Sequence, residues 1–387
     1  MKKYKISVTT ASGVEAVTKR ELRDLGIENA PAISGRLSFE GTALDVARCN
    51  MFLRTADRVY IEVGRFPCTN FDQLFEGVSK LDWKSFLPVD ASFPVNGKCV
   101  GSVLYGVSAC QSIIKKSIVV ALKKAYRVAE ILEDGSEYRI EFTIIKDEAV
   151  LYIDTSGSPL HKRGYRNLVG AAPMKETLAA AIILLSVWRY NRPFIDPFCG
   201  SGTLAIEAAM IGLDKAPGLC RTFAYEWWDN FPQEAKDKAR SEAKERVKKD
   251  RTLQISAFDI DKNAIRLAEH HAKNAGVYEY IHFQCMDMRE VKSSKAYGVV
   301  ITNPPYGERL LSEKELRLLY QDFQKVYKNL PDWSLFLITA YGDFESVFGK
   351  KADRTRKLYN GDLECRLYQY LGKKPKDTNL ITGDKNV

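Results

Sequence analysis

Two spacings of apolar residues alternate along the first 160 or so positions. Lys5-Ile6-Ser7-Val8-Thr9, Arg36-Leu37-Ser38-Phe39 and Tyr60-Ile61-Glu62-Val63 alternate apolar and polar residues, the period of strands with one buried face. Between them, residues 15–25 and 43–53 carry helical spacing, the first run closing at Gly26. Strands mixed with helices predict a small α+β region over residues 1–64, broken at Gly64. A second α+β region is expected over 65–160, with a short helix at 71–78 and a strand within 96–105. A long helix over 107–128 follows, with Ile114, Ile118 and Leu122 on one face. Residues 137–145 and 149–154 should then pair as a hairpin around Lys146-Asp147-Glu148.

From Pro173 the pattern changes. An Ala/Leu-rich helix over 175–190 precedes short apolar runs that alternate with helical segments: strands at 194–196, 253–259, 281–286, 298–302 and 335–340, helices at 204–211, 263–274 and 316–330. Ser312-x-x-Glu315 reads as a capping box before the last helix. Runs of β-branched residues such as Val299-Val300-Ile301-Thr302 suit strands buried on both faces. A final antiparallel pair is expected around Lys357-Leu358-Tyr359 and 365–371. The expectation is an α/β, Rossmann-like domain over 173–372 with a seven-stranded, mostly parallel sheet. Residues 213–252 interrupt it with a charged helix, expected to be exposed, and the polar stretch 373–387 is expected to be a disordered tail.

At 387 residues the chain exceeds one ordinary core. Its longest apolar run, Leu178 to Val187, is too short for a bilayer, and no leader pattern opens the sequence, so a cytoplasmic protein is expected. Eight cysteines without a C-x-x-C pair, and four histidines, give no metal-site pattern. A formal net charge of +9 favours a polyanionic partner. Lys116, Lys123 and Arg127 are spaced along one face of the long helix, widened by Lys115 and Lys124. They read as a phosphate-binding stripe or as a solvated face. In His161-Lys162-Arg163-Gly164-Tyr165-Arg166, Lys162, Arg163 and Arg166 could hold phosphates while Tyr165 stacks on a base. Alternatively the segment is a soluble linker spanning 161–172.

The chemistry concentrates at the ends of the later strands. Asn303-Pro304-Pro305-Tyr306-Gly307 follows a strand directly. The prolines end the ladder abruptly and hold Asn303 where open α/β sheets place ligands. The Asn303 side-chain carbonyl and the Pro304 carbonyl are both acceptors, able to grip the two hydrogens of a planar NH2 group. Tyr306 offers a face for a base, worth about 1–3 kcal/mol. Upstream, Asp196-Pro197-Phe198-Cys199-Gly200-Ser201-Gly202-Thr203 opens a helix with dinucleotide-type glycine spacing, a cradle for an anionic ligand group. Asp196 would repel a pyrophosphate but can attract the ammonium of S-adenosylmethionine (SAM). Asp259 can bind ribose hydroxyls, and Asp287 can accept from an adenine amine with Met288 against the ring. Each acid could instead be a helix cap or loop residue, and Asp261 is expected to be one.

These residues resemble the THUMP-domain class I methyltransferases, most specifically the 23S rRNA guanine-N2 methyltransferases of the RlmL type. The resemblance rests on LHKRGYR (160–166), APMKETLAAA (172–181), IDPFCGSGTLAIEAA (195–209), FDID (258–261) and NPPYGERL (303–310). It implies a ferredoxin-like region over 1–64, an RNA-binding THUMP domain over 65–160 and a methyltransferase domain over 173–372. It further implies SAM as methyl donor, with Asp196, Phe198, Gly200, Gly202, Thr203, Asp259, Ile260, Asp287, Met288 and Asn303 at the cofactor. Asn303, Pro304, Pro305 and Tyr306 would act on an exocyclic amine, in 23S rRNA or a pre-ribosomal particle. The same NPPY pattern resembles that of N6-adenine methylases, which act on DNA or RNA, and the first-position Asn suits either amine. A nicotinamide-dependent oxidoreductase and a non-catalytic RNA-binding assembly factor are the other readings, the first opposed by Asp196, the second by Asn303 with Tyr306.

Overall fold

A computed structural model of the protein describes residues 2–33, 35–167, 174–306 and 312–375. Gly307, the Glu308-Arg309 continuation, residues 168–172 of the 161–172 linker and the tail beyond Pro375 lie outside the described residues. The N-terminal elements are β1 (Tyr4–Thr10), α1 (Glu15–Asp24), β2 (Ala32–Ile33), β3 (Arg36–Gly41), α2 (Ala43–Phe52) and β4 (Ala56–Pro67). Then come α3 (Phe71–Ser79), β5 (Val95–Val100), α4 (Val107–Tyr126), β6 (Ile140–Ile145) and β7 (Glu148–Asp154). Their strands form one sheet in the order β2-β3-β1-β4-β7-β6-β5.

The two expected N-terminal regions therefore share a sheet, and β4 is the seam. Ile61 sits between Ile6 of β1 and Ile153 of β7. Gly64 does not end the strand: the register shifts between Glu62 and Gly64 and pairing resumes to Pro67. The glycine marks a bulge, where a Cβ would come within 2.4 Å of the Leu81 side chain.

The C-terminal elements are α5 (Glu176–Leu185), β8 (Phe194–Asp196), α6 (Thr203–Gly212), α7 (Gln233–Glu245), β9 (Ile255–Asp259), α8 (Lys262–Asn274) and β10 (Ile281–Cys285). After these come β11 (Val299–Thr302), α9 (Glu313–Lys328), β12 (Ser334–Thr339), α10 (Phe344–Phe348), β13 (Arg354–Asn360) and β14 (Leu363–Tyr370). They build a seven-stranded sheet in the order β10-β9-β8-β11-β12-β14-β13, parallel except that β14 runs antiparallel to β12 and β13. The Ser312–Glu315 capping box starts α9 as expected, with Ser312 N donating to Glu315 Oε2 at 2.8 Å. The strand order reverses between β8 and β11, the switch point where such sheets bind ligands.

The charged insertion before β9 is not a solvated appendage. On α7, Ala235, Ala239 and Ala243 recur every four residues and are buried in the N-terminal core with Phe223, Tyr225, Trp228 and Phe231. Arg48 of α2 grips Glu242 of α7 with two hydrogen bonds, one of 2.7 Å from Nε. Small alanines let α7 lie close against the N-terminal body, so the insertion clamps the two halves of the chain together.

Candidate active site

β8 and β11 are parallel neighbours, with Val299 opposite Phe194 and Val300 opposite Ile195. The diproline corner and the glycine turn therefore leave the sheet from the same edge. Thr302 Oγ1 donates to Asp196 Oδ1 at 2.6 Å, and both residues are buried. Asn303 comes next. Its Oδ1 is buried and has no hydrogen-bond partner among the described residues. Such an orphaned acceptor costs about 1–3 kcal/mol, so it marks a place prepared for a donor brought by a ligand.

The corner is braced from behind. Tyr320 of α9, fully buried, has its hydroxyl 3.3 Å from the Pro305 carbonyl and 2.9 Å from Thr339 Oγ1. Thr339 Oγ1 in turn accepts from Tyr341 N at 3.1 Å. The Tyr306 hydroxyl accepts from Asn360 Nδ2 at 3.2 Å, at the end of β13. Burial, above all, pushes the Tyr306 phenol up to about 12, so it stays protonated. Tyr320, Thr302 and Asn360 were not singled out by sequence. Tyr320 shares the buried face of α9 with Leu316 and Phe323, and spacing alone does not separate a brace from core packing.

The glycine turn fits a cofactor with a cationic amino-acid end. Gly200 and Gly202 adopt positive φ of 50° and 81°. A Cβ on Gly202 would come within 2.9 Å of the Ala268 Cβ on α8, whereas one on Gly200 would meet nothing within 4 Å. Gly202 is thus needed for packing, and Gly200 leaves open space over the turn where a ligand can approach. Asp196 is buried, which pushes its carboxyl up to about 7 against the opposing hydrogen bonds from Thr302 and Phe198 N. Among the described residues no cation pairs with it, and an ammonium would supply one. Asp259 is half-buried and accepts from Gly200 N at 2.9 Å and Asp261 N at 3.0 Å, which fixes its carboxylate at the end of β9. Asp261 caps α8 by accepting from Asn263 N at 2.8 Å, the structural role expected of it.

Other expected cofactor residues are placed differently. Met288 is buried in one hydrophobic cluster with Phe258 and Val291, so its side chain has no exposed face to give an adenine ring. Ile260, 71% exposed beside Asp259, does. Asp287 holds Arg289 through its backbone N–H at 2.9 Å and its guanidinium at 3.0 Å, so an adenine amine would share that carboxylate. Phe198 packs edge-on against Phe323 at 5.6 Å. The Thr203 hydroxyl accepts from Arg166, leaving the backbone at the start of α6 as what Thr203 can offer.

The basic segment 161–166 needs correction. Arg163 is buried and reaches Glu207 of α6 at 3.4 Å and the Leu160 carbonyl at 2.9 Å, with a further bond to the Arg54 carbonyl. Tyr165 is buried too, its hydroxyl donating to Glu207 at 3.2 Å. Arg166 is paired with Glu176 at 3.3 Å. None of the three presents a free charge or ring to RNA. They tie the N-terminal body to α6 and α5, because a buried Glu207 needs cationic and hydroxyl donors. Lys162 remains exposed. On α4, Lys116 and Lys124 are exposed, Lys123 is partly so, and Arg127 caps the helix at φ 60°. Lys115 leaves the stripe, bonding the Phe93 carbonyl at 3.0 Å and pairing with Glu133.

A cavity of about 420 Å³ at the opposite, amino end of β12, lined by Trp333, Lys350 and Gly372, touches none of these residues.

A profile of the RMKL-like methyltransferase domain matches residues 163–369, one of the RlmL ferredoxin-like domain residues 5–60, and one of the THUMP domain residues 68–154. The chain belongs to the RMKL-like methyltransferase family. Within reach of this family, YpsC of Bacillus subtilis, provisionally named an RNA methyltransferase, is 44% identical over 96% of this chain and 97% of its own. The ribosomal RNA large subunit methyltransferase K/L of Psychromonas ingrahamii is 34% identical over 94% of this chain, which spans 49% of that longer protein. Two solved structures superpose with a TM-score of 0.93. One, a provisional methyltransferase in complex with S-adenosylhomocysteine (SAH), is 43% identical over 97% of this chain and 100% of its own. The other, from Listeria monocytogenes and described as a predicted N6-adenine-specific DNA methylase, is 46% identical over 96% and 97%. The family assignment accords with the strand order and with a ferredoxin-like and THUMP body ahead of the methyltransferase sheet.

Proposed function

We propose that this RNA methyltransferase transfers a methyl group to the exocyclic N2 amine of a guanine in 23S rRNA. SAM is the cofactor, and when bound it supplies an electrophilic sulfonium methyl. The observation that carries the reading is the orphaned Asn303 Oδ1 at the same sheet edge as Asp196 and the glycine turn. Asp196, as a carboxylate, would hold the ammonium of the cofactor. The N–H groups at the start of α6 would receive its carboxylate, Asp259 its ribose, and Ile260 and Asp287 its adenine.

Asn303 Oδ1 and the Pro304 carbonyl accept the two hydrogens of the target amine, which turns the nitrogen lone pair out of conjugation. Tyr306, held by Asn360, supports the base. The nitrogen gains a bond to the methyl carbon as the carbon–sulfur bond breaks, and the methylated nitrogen then loses a proton to water. Rate enhancement comes mainly from positioning, worth about 7–11 kcal/mol. A base edge reaches this corner only when the nucleotide is flipped out of its stack. The THUMP domain supports RNA as acceptor, and the K/L relative supports ribosomal RNA. The Listeria relative's description favours adenine N6 as the second reading, with the same grip on a different amine.

Nucleoside mass mapping of rRNA from a deletion strain tests this. Loss of one N2-methylguanosine from 23S rRNA is expected. Loss of N6-methyladenosine from rRNA, or from genomic DNA mapped in parallel, would transfer the reading to adenine, and unchanged patterns in both nucleic acids would refute both.

A further inference from the structure

A cleft of about 380 Å³ opens between the N-terminal body and the methyltransferase domain. Ser12 and Asp57 line it from one side, Lys175 and Thr177 at the start of α5 from the other, and Tyr359 at the end of β13 closes it. One link joins this cleft to the diproline corner and another joins it to the cofactor helix. Asn360, next to Tyr359, bonds the Tyr306 hydroxyl at 3.2 Å. Glu176, next to Lys175, pairs with Arg166, which binds Thr203 at the head of the cofactor helix. The cleft therefore adjoins both ends of the proposed reaction.

Its electrostatics suit an anion. Lys175 is exposed. His161 nearby is held down to about 4, first by burial and then by Lys175, Arg163, Lys162 and Arg221. Asp57 is the one carboxylate of the lining, and burial, above all, pushes it above its ordinary range against the opposing pull of Lys175, Thr177, Arg163 and Arg58. Ligand pockets run about 300–1,000 Å³, so this one admits a single nucleotide and no duplex.

We propose that this cleft seats the RNA nucleotide adjoining the target base, with Lys175 on its phosphate, Tyr359 beside its base, and Ser12, Asp57 and Thr177 facing its ribose. The proposal rests on the RNA-directed reading above and deepens it. The ferredoxin-like domain then forms a wall of the substrate site. The wall faces a single-stranded flank, the form in which RNA offers separate nucleotides and its 2′-hydroxyls.

The test measures steady-state methyl transfer to a 23S rRNA fragment, with SAH affinity in parallel, for wild type, Lys175→Arg, Lys175→Gln and Lys175→Glu. Lys175→Glu should raise KM for RNA about ten-fold or more, the size of one charge-assisted hydrogen bond. SAH affinity should hold, and Lys175→Arg should retain near-native KM. The slope of log KM against log salt should fall by about 0.7 for the lost phosphate contact. Should Lys175→Glu lose SAH binding as well, Lys175→Gln decides by the same KM and slope. An unchanged KM and slope in the SAH-binding variant overturns the proposal while leaving the function standing. A wild type that methylates no RNA overturns both.

Discussion

The Thr302 hydroxyl bonds Asp196 Oδ1 at 2.6 Å and joins the strand that ends in the diproline corner to the strand that ends in the glycine turn. Both partners are buried, so solvent does not compete for the bond. The proposed acceptor corner and the proposed cofactor site thus share one buried contact. Removing it by Thr302→Val leaves Asp196 Oδ1 with Phe198 N at 3.2 Å, which should raise the carboxyl further. SAH affinity should then fall at pH 7 more than at pH 8, measurable by calorimetry.

Asp196 itself predicts a proton linkage. Its folded value, about 7, lies above the ordinary value near about 4. The native apo protein therefore holds a proton that the unfolded chain lacks between those limits. That contribution to stability is fully present below pH about 4 and is lost as pH rises through about 7. A cationic ligand prefers the carboxylate. SAH should bind with proton release at pH 6, and its affinity should rise toward pH 7.5, before its own ammonium titrates near about 8. Calorimetry in two buffers of different ionisation enthalpy should show the release in wild type and none in Asp196→Asn.

Tyr320 is a positioning residue. Tyr320→Phe removes the hydroxyl from the Pro305 carbonyl and Thr339, an effect of about 0.5–1.5 kcal/mol. Single-turnover methyl transfer should slow roughly three- to ten-fold, with SAH affinity unchanged. An equal loss in SAH binding would make Tyr320 a packing residue alone.

The corrected segment 161–166 predicts instability rather than weak RNA binding. Arg163→Leu leaves Glu207 buried without its charge partner, which should cost about 3–5 kcal/mol. Tyr165→Phe deletes one bond to Glu207 and should cost about 1 kcal/mol. Denaturant melts check both, and Tyr165→Phe should leave RNA affinity unchanged.

Ala239 is fully buried between α7 and the N-terminal core. Ala239→Leu should overpack that seam and cost about 1–3 kcal/mol. The same change at exposed Lys238, one position away, should be nearly silent in the same melt.

The sheet that carries the site was legible because its signals are local: β-branched runs, turn glycines and a diproline stop fall at strand ends whatever surrounds them. Asp196, Asp259 and Asn303 fall at strand ends, as expected, for that reason. Misplaced residues depended on partners distant in sequence. Arg163 and Tyr165 look like an RNA grip until Glu207, more than forty positions on, claims them. Met288 reads as an adenine contact until Phe258 and Val291 enclose it. The α7 alanine stripe was visible, but charges around it masked a buried face that only α2 explains. Gly64, expected to end a strand, instead absorbs a bulge against Leu81.

The central claim is that Asn303 Oδ1 is an acceptor awaiting the amine of an RNA base. Single-turnover methyl transfer to a 23S rRNA fragment by Asn303→Ala, with SAH affinity measured on the same preparation, tests it most directly. The account predicts transfer reduced at least about a hundred-fold, well over the ~1–3 kcal/mol of one buried acceptor because the lone pair also loses its aim, with SAH binding nearly intact. Transfer at the wild-type rate would contradict it.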